Sequence, residues 1–187
     1  MEKLTQVGLD NIVKRHQAWI DTADKGYFDN ICLNDLKSID ASGTKLENVN
    51  LVMMDCTNSN FSNVTFKNVN FFKVNFDGSN FYGAKFDNCT FKSVSFAGCE
   101  LINTFFTSST FSNNLFSCAD MQYANFLHST LFKDMFCASN LLGSNWYKCQ
   151  IDNVDFFSAN LTNAYFKSTA FSTAFVEMIV SKKCICE

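Results

Sequence analysis

From Leu36 to Phe171 a bulky apolar residue recurs at nearly every fifth position of the chain. In the central stretch it falls at Phe61, Phe66, Phe71, Phe76, Phe81, Phe86, Phe91 and Phe96 without a break. Between 61 and 171 there are 23 such centres: 16 Phe, four Leu, and one each of Met121, Trp146 and Ile151. A period of five matches neither the 3.6 of a helix nor the 2.0 of a strand. It requires a fold in which each pentapeptide forms one side of a closed figure and the chain turns after every side.

The other four positions of the pentapeptide support this. Two residues before the centre the chain is small, as at Ser59, Val64, Val69, Val74, Ser79, Ala84, Cys89, Val94 and Cys99. The residue just before the centre is usually polar, and two residues after it Gly or Asn recurs, as at Asn63, Gly78, Gly83 and Asn88. Gly and Asn tolerate the positive φ of a tight corner. Each pentapeptide therefore has an inward pair, the centre and the small residue, and three outward residues that include a corner. Four sides close a coil of 20 residues, and coils stack at the strand spacing of about 4.8 Å. The fold class expected is an all-β solenoid whose centres form four interior columns, one running Leu46, Phe66, Phe86, Phe106, Phe126, Trp146, Phe166 and another Leu36, Cys56, Phe76, Phe96, Phe116, Phe136, Phe156. The chain has no proline, so every coil keeps its backbone donors for the ladder.

The small–polar–(Phe/Leu)–any–polar pattern resembles the pentapeptide repeat family, whose fold is a right-handed quadrilateral β-helix. The resemblance covers residues 36–175, which makes 28 repeats and about seven coils. It implies a division into an N-terminal helical cap at 1–30, the β-helix at 31–175 and a C-terminal cap or tail at 176–187. A stack of coils exposes an apolar cross-section at each end. Residues 6–24 read as a short capping helix, with Leu9, Ile12, Val13, Trp19 and Ile20 at helical spacing on one face. At the other end the resemblance implies a homodimer through the C-terminal segment, in which Val176, Met178, Ile179 and Val180 are apolar.

The formal net charge is −3, and the repeat region sets nine lysines against ten acids. That balance argues against a direct nucleic-acid footprint. No apolar run approaches the ~18 residues of a membrane span, and no apolar core of a secretory leader precedes Lys14 and Arg15. Of nine cysteines, Cys56 occupies a centre and Cys89, Cys99 and Cys149 occupy the small inward position, where they stand in for small buried residues. This usage points to a reduced, cytoplasmic setting. The repeat disperses titratable groups, so no catalytic constellation is expected. His16 and His128 lack partners at metal-ligand spacing, Cys184 and Cys186 have no second half-site, and the glycines occur singly. No metal, cofactor or enzymatic activity is therefore expected.

Two departures from the repeat mark candidate sites. Asn114 and Asp134 occupy the small inward position one coil apart, and would form a polar pair or a polar recess in the wall. Leu115 and Met135 stand beside them at outward positions. The second departure is a set of outward apolar residues. Tyr82, Ile102 and Leu142 share one vertical line, interrupted by Gln122, and Phe105, Tyr123, Leu127 and Tyr147 lie on or near the adjoining corner. Together they form a candidate protein-contact patch. Phe72 and Phe132 form a sparser line elsewhere.

These features favour a non-catalytic scaffold that binds a protein partner through the β-helix surface. The family resemblance implies an alternative, because some members mimic DNA with an acidic surface and bind DNA gyrase or another type II topoisomerase. This chain departs from such members. Its repeat region nets only −1, Lys67, Lys73, Lys85 and Lys92 stand outward in the early coils, and no insertion interrupts the register.

Overall fold

The computed structural model describes residues 3–23, 36–171 and 185–186. Residues 36–171 form a β-solenoid of about 6 turns, preceded by one helix, α1 (Gln6–Ala23). Each coil advances the chain by 20 residues. On one wall the strands Lys45–Glu47, Thr65–Lys67, Lys85–Asp87, Phe105–Thr107 and Asn125–Leu127 pair in parallel, with Phe66 beside Phe86 and Phe86 beside Phe106. On the next wall seven strands run from Asn50–Val52 to Ala170–Phe171 in the same register. The other two walls are joined by single parallel bridges such as Asp55↔Asn75 and Asn80↔Glu100.

The interior follows from the strand spacing. Rings in one column are held one coil apart, so they stack nearly parallel: Phe66–Phe86 at 4.7 Å, Phe91–Phe111 at 4.6 Å and Phe116–Phe136 at 4.5 Å between centroids. Rings in adjacent columns meet edge to face, as Phe66 does with Phe71 at 5.3 Å and 77°. Both arrangements suit the aromatic quadrupole. The fourth column begins Ala41, Phe61, Phe81 and continues with Leu101, Met121, Leu141 and Leu161, all buried.

The corners show where residue preference ends and geometry takes over. Every residue two after a centre, from Ser38 to Ser168, has a left-handed φ between 52° and 71°, and 22 of these are not glycine. Met53, Lys73, Tyr123 and Ala138 are among them. Such a backbone costs a non-glycine residue energy, and closure of the coil imposes it at every side. Gly and Asn lower that cost without being required.

The small inward position proves to be a hydrogen-bonding device. Ser79 Oγ donates to the Cys56 carbonyl at 2.9 Å and accepts the Ser59 amide at 3.0 Å. Ser129 Oγ likewise donates to the Phe106 carbonyl at 3.0 Å and accepts the Ser109 amide at 3.2 Å. Cys99 Sγ donates to the Phe76 carbonyl at 3.0 Å, and Cys149 Sγ donates to the Phe126 carbonyl. These side chains satisfy buried backbone groups that no neighbouring strand reaches. The cysteines thus act as weak donors as well as small apolar residues.

Helix α1 sits at the start of the stack. Thr5 caps it, accepting the Gly8 amide on Oγ1 at 3.1 Å. Leu4 and Leu9, at the positions of a hydrophobic staple, both join the core. Gln6 ties the helix to the first strand: its Nε2 donates to the Lys45 carbonyl and its Oε1 accepts the Lys45 amide, each at 2.9 Å. Lys3 bridges Asp40 in parallel, and the Leu4 amide donates to the Asp40 carbonyl at 2.6 Å. Ile12 and Val13 pack on the core, while the side chains of Trp19 and Ile20 and the expected cap boundary near residue 30 lie outside the described residues. At the far end Ile185–Cys186 pairs with Tyr165–Phe166, one coil register on. Residues 172–184, including the apolar segment expected to mediate dimerisation, lie outside the described residues.

Candidate functional site

Asn114 and Asp134 are both 0% exposed. The recess admitted by their polarity is closed, and the pair is an enlarged version of the inward hydrogen-bonding device. Asn114 Oδ1 accepts the Val94 amide at 2.8 Å, and its Nδ2 donates to the Phe91 carbonyl at 3.1 Å. Asp134 Oδ1 accepts both the Asn114 amide and Asn114 Nδ2 at 2.8 Å, and Oδ2 accepts the Phe132 amide at 3.0 Å. Burial pushes the Asp134 carboxyl up to about 7, against three N–H donors that favour its charged form. The pair offers no surface to a ligand. Its physical consequence is a proton-dependent stability.

The seven residues of the apolar patch lie where two walls meet. Tyr82, Phe105 and Tyr123 are exposed, and Ile102, Leu127, Leu142 and Tyr147 are half-buried. Coil register places Tyr82 beside Ile102 and Leu127 beside Tyr147. Local hydrogen bonds fix the intervening polar residues. Asn80 Oδ1 accepts the Tyr82 amide at 2.7 Å and Asn145 Oδ1 accepts the Tyr147 amide at 3.1 Å, the side-chain turn that Asn supports. Gln122, the interruption in the vertical line, turns its Nε2 to both Asp120 oxygens at 3.1 Å, away from Ile102 and Leu142.

Tyr123, 52% exposed, is the most prominent member. It has a left-handed backbone, and its ring lies over Gly143, where an added Cβ would meet ring atoms at 2.7 Å. Gly143 also has a φ of +64°, so close approach and backbone conformation both select glycine there. Tyr147 meets His128 edge-on at 5.6 Å and lies under Lys148 Nζ at 5.1 Å. The wall from Phe105 to Lys167 thus offers aromatic surface with cations at its rim. Its outward residues include no carboxylate. Glu100 and Asp120 belong to the neighbouring wall, on the far side of Ile102.

Two surface features were not singled out by the repeat. Phe157 is 72% exposed, on the wall that also bears Leu115 and Met135. The signal was the Phe156–Phe157 doublet, whose second member falls at an outward position. Cys118 is exposed and Cys137 partly so, on successive coils of that wall. Phe72 is flanked by Lys73 and Lys92 at 5.2 and 5.7 Å, which disperses positive charge over the early coils. Among the described residues no cluster of three or more His, Cys, Asp or Glu could hold a metal ion. No described helix is long and apolar enough to cross a membrane.

Comparison with known proteins bears on the repeat. Among solved structures, the chain is similar to a trypsin-treated variant of QnrB1, a plasmid-mediated fluoroquinolone resistance protein, at 14% identity over 77% of this chain and 83% of that one, with a TM-score of 0.46. It is also similar to HetL, a pentapeptide repeat protein involved in heterocyst differentiation regulation in the cyanobacterium Nostoc, at 12% identity over 90% and 92% of the two chains, with a TM-score of 0.31. A pentapeptide repeat protein of the Arabidopsis thaliana thylakoid lumen matches at 19% identity over 79% and 78%, with a TM-score of 0.32. No curated protein sequence matches the chain. The family model for pentapeptide repeats matches in 8 copies, with residues 42–78, 55–92 and 75–113 aligned. Those spans fall on coils in which each fifth residue fills one of four interior columns, and the chain belongs to the pentapeptide repeat family.

Proposed function

We propose that this protein is a non-catalytic scaffold that binds a protein partner through the corner formed by Tyr82, Ile102, Phe105, Tyr123, Leu127, Leu142 and Tyr147. The observation that supports this reading is the alignment of apolar side chains on successive coils, at outward positions that the repeat normally fills with polar residues. Rigid coils hold the patch in place before binding, so little ordering entropy is lost there. Exposed Tyr side chains are common anchors at protein interfaces. Lys148 at the rim would favour a partner segment that brings carboxylates alongside its apolar residues.

The test is affinity capture from the lysate of the source cells, with wild type and an Ile102→Asp/Leu142→Asp variant as baits. Both sites are outward, so circular dichroism and thermal melting should match wild type closely. The expected outcome is a protein retained by wild type and lost from the variant. Identical sets of retained proteins would remove the corner as the binding surface.

Binding to DNA gyrase or another type II topoisomerase is the second reading. It rests on the family resemblance alone. Lysines Lys67, Lys73, Lys85 and Lys92 are exposed in the early coils, which breaks any continuous negative face.

A further inference from the structure

We propose that Cys118 and Cys137 are a site of reversible oxidation, joining two successive coils by a disulfide when the protein meets hydrogen peroxide. Among the cysteines whose burial the structure describes, Cys56, Cys89, Cys99 and Cys149 are buried, while Cys118 and Cys137 reach solvent. Burial drives the four buried thiols upward, to about 11 at Cys89 and about 12 at Cys99 and Cys149, which leaves them inert. The two that reach solvent are neighbours. The Cys118 amide donates to the Cys137 carbonyl at 3.0 Å, so the residues lie in the turns of adjacent coils, offset by one position. That spacing places their Cα atoms within the roughly 4.4–6.8 Å over which disulfides form.

The surroundings leave room for the bond. Along the corner Cys118 stands between Gly98 and Ala138, and a Cβ added at Gly98 would meet nothing within 4 Å. Along its own line Cys137 follows Ala97 and Ser117. No bulky side chain of these two lines stands between the thiols. Cys137 Sγ donates to Asp155 Oδ2 at 3.2 Å, and burial, this bond and nearby negative charge raise its thiol above the usual value. Cys118, the more exposed, is therefore the first to react.

The chemistry balances with peroxide as the oxidant. The Cys118 thiolate attacks one peroxide oxygen and breaks the O–O bond, giving a sulfenic acid and hydroxide, which takes up the proton that the thiol had released. Cys137, deprotonated as it attacks, forms the S–S bond and expels the sulfenic oxygen as water. Two thiols and one peroxide yield one disulfide and two waters. Excess dithiol reverses the step.

The test treats the full chain with hydrogen peroxide, blocks remaining thiols with iodoacetamide and maps tryptic peptides without reduction. Lys92, Lys133 and Lys148 define peptides 93–133 and 134–148, which hold Cys118 and Cys137. The expected product joins these two peptides with the loss of two hydrogens, disappears on dithiothreitol treatment and is absent from Cys118→Ser and Cys137→Ser variants. Separate alkylation of both residues, or separate sulfinic acids, would overturn the proposal. So would a link that survives Cys118→Ser, since peptide 93–133 also holds Cys99.

Discussion

Phe126→Ala lowers the unfolding free energy by about 3–5 kcal/mol, a large-to-small change in a core that cannot collapse around the gap. The ring is fully buried. It stacks on Phe106 at 4.9 Å below and Trp146 at 4.1 Å above, and meets Phe111 and Phe136 edge-on at 5.9 and 6.0 Å. Backbone ladders on both sides hold the coils at strand spacing, so the neighbouring rings cannot close over an alanine. A solenoid takes its stability from contacts between adjacent repeats, and the lost layer weakens both interfaces of one coil. Thermal or denaturant melting measures the effect. An unchanged melting curve would mean that the aromatic column is not the core. Tyr123→Ala, on the outer surface, should change the melt far less.

Stability falls as pH rises from about 4 to above 7, because of Asp134. Its carboxyl titrates at about 7 in the folded chain, against an ordinary value of 3.8. The folded state holds the proton more tightly than the unfolded state, so the carboxyl favours folding below 3.8. That advantage is lost progressively as pH rises through about 7. Each pH unit between the two values is worth about 1.36 kcal/mol, so the loss is on the order of 4 kcal/mol. The side chain is sealed, and no cation sits among its hydrogen-bond partners to offset the charge. Asp40 and Asp55 act in the opposite direction. The Ser42 hydrogen bonds lower Asp40, while for Asp55 the bonds from Lys37 and Thr57 outweigh burial, so their contributions disappear in acid. The most stable window lies between those limits.

Asp134→Asn should flatten the decline between pH 5 and 8, read as melting temperature against pH. Parallel curves for wild type and variant would contradict the assignment. Asp134→Ala serves as a second probe. The sealed wall leaves the Asn114 amide, Asn114 Nδ2 and the Phe132 amide short of an acceptor. Unsatisfied buried donors cost roughly 1–3 kcal/mol, so the variant should be destabilised even at pH 5.

The coil was legible in the sequence because a period of five leaves no alternative for its centres. Phe66, Phe86 and Phe106 needed only their spacing to be placed in one column. The corner backbones were less legible. Asn and Gly mark some of them, but Lys73 and Tyr123 adopt the same left-handed φ under the constraint of closure. Size alone describes the inward position in the sequence, whereas Ser79, Cys99 and Asn114 occupy it as hydrogen-bonding groups for backbone turned inside the coil. That distinction depends on donor direction, which residue type does not encode. At the surface, spacing put Ile102 and Leu142 on one line. Only the structure showed Gln122 folded onto Asp120 and Tyr123 laid over Gly143. The Cys118–Cys137 adjacency followed from an offset of 19, one short of a coil, and so lay outside any single column.

The coil presents an apolar corner and mixed charge rather than an acidic imitation of DNA. A supercoiling assay with purified DNA gyrase, with and without a fluoroquinolone, over a range of this protein, tests that reading most directly. Unchanged supercoiling and unchanged drug inhibition are expected at every concentration. Inhibition of the enzyme, or its protection from the drug, would contradict the reading and place the protein among the topoisomerase-binding members of its family.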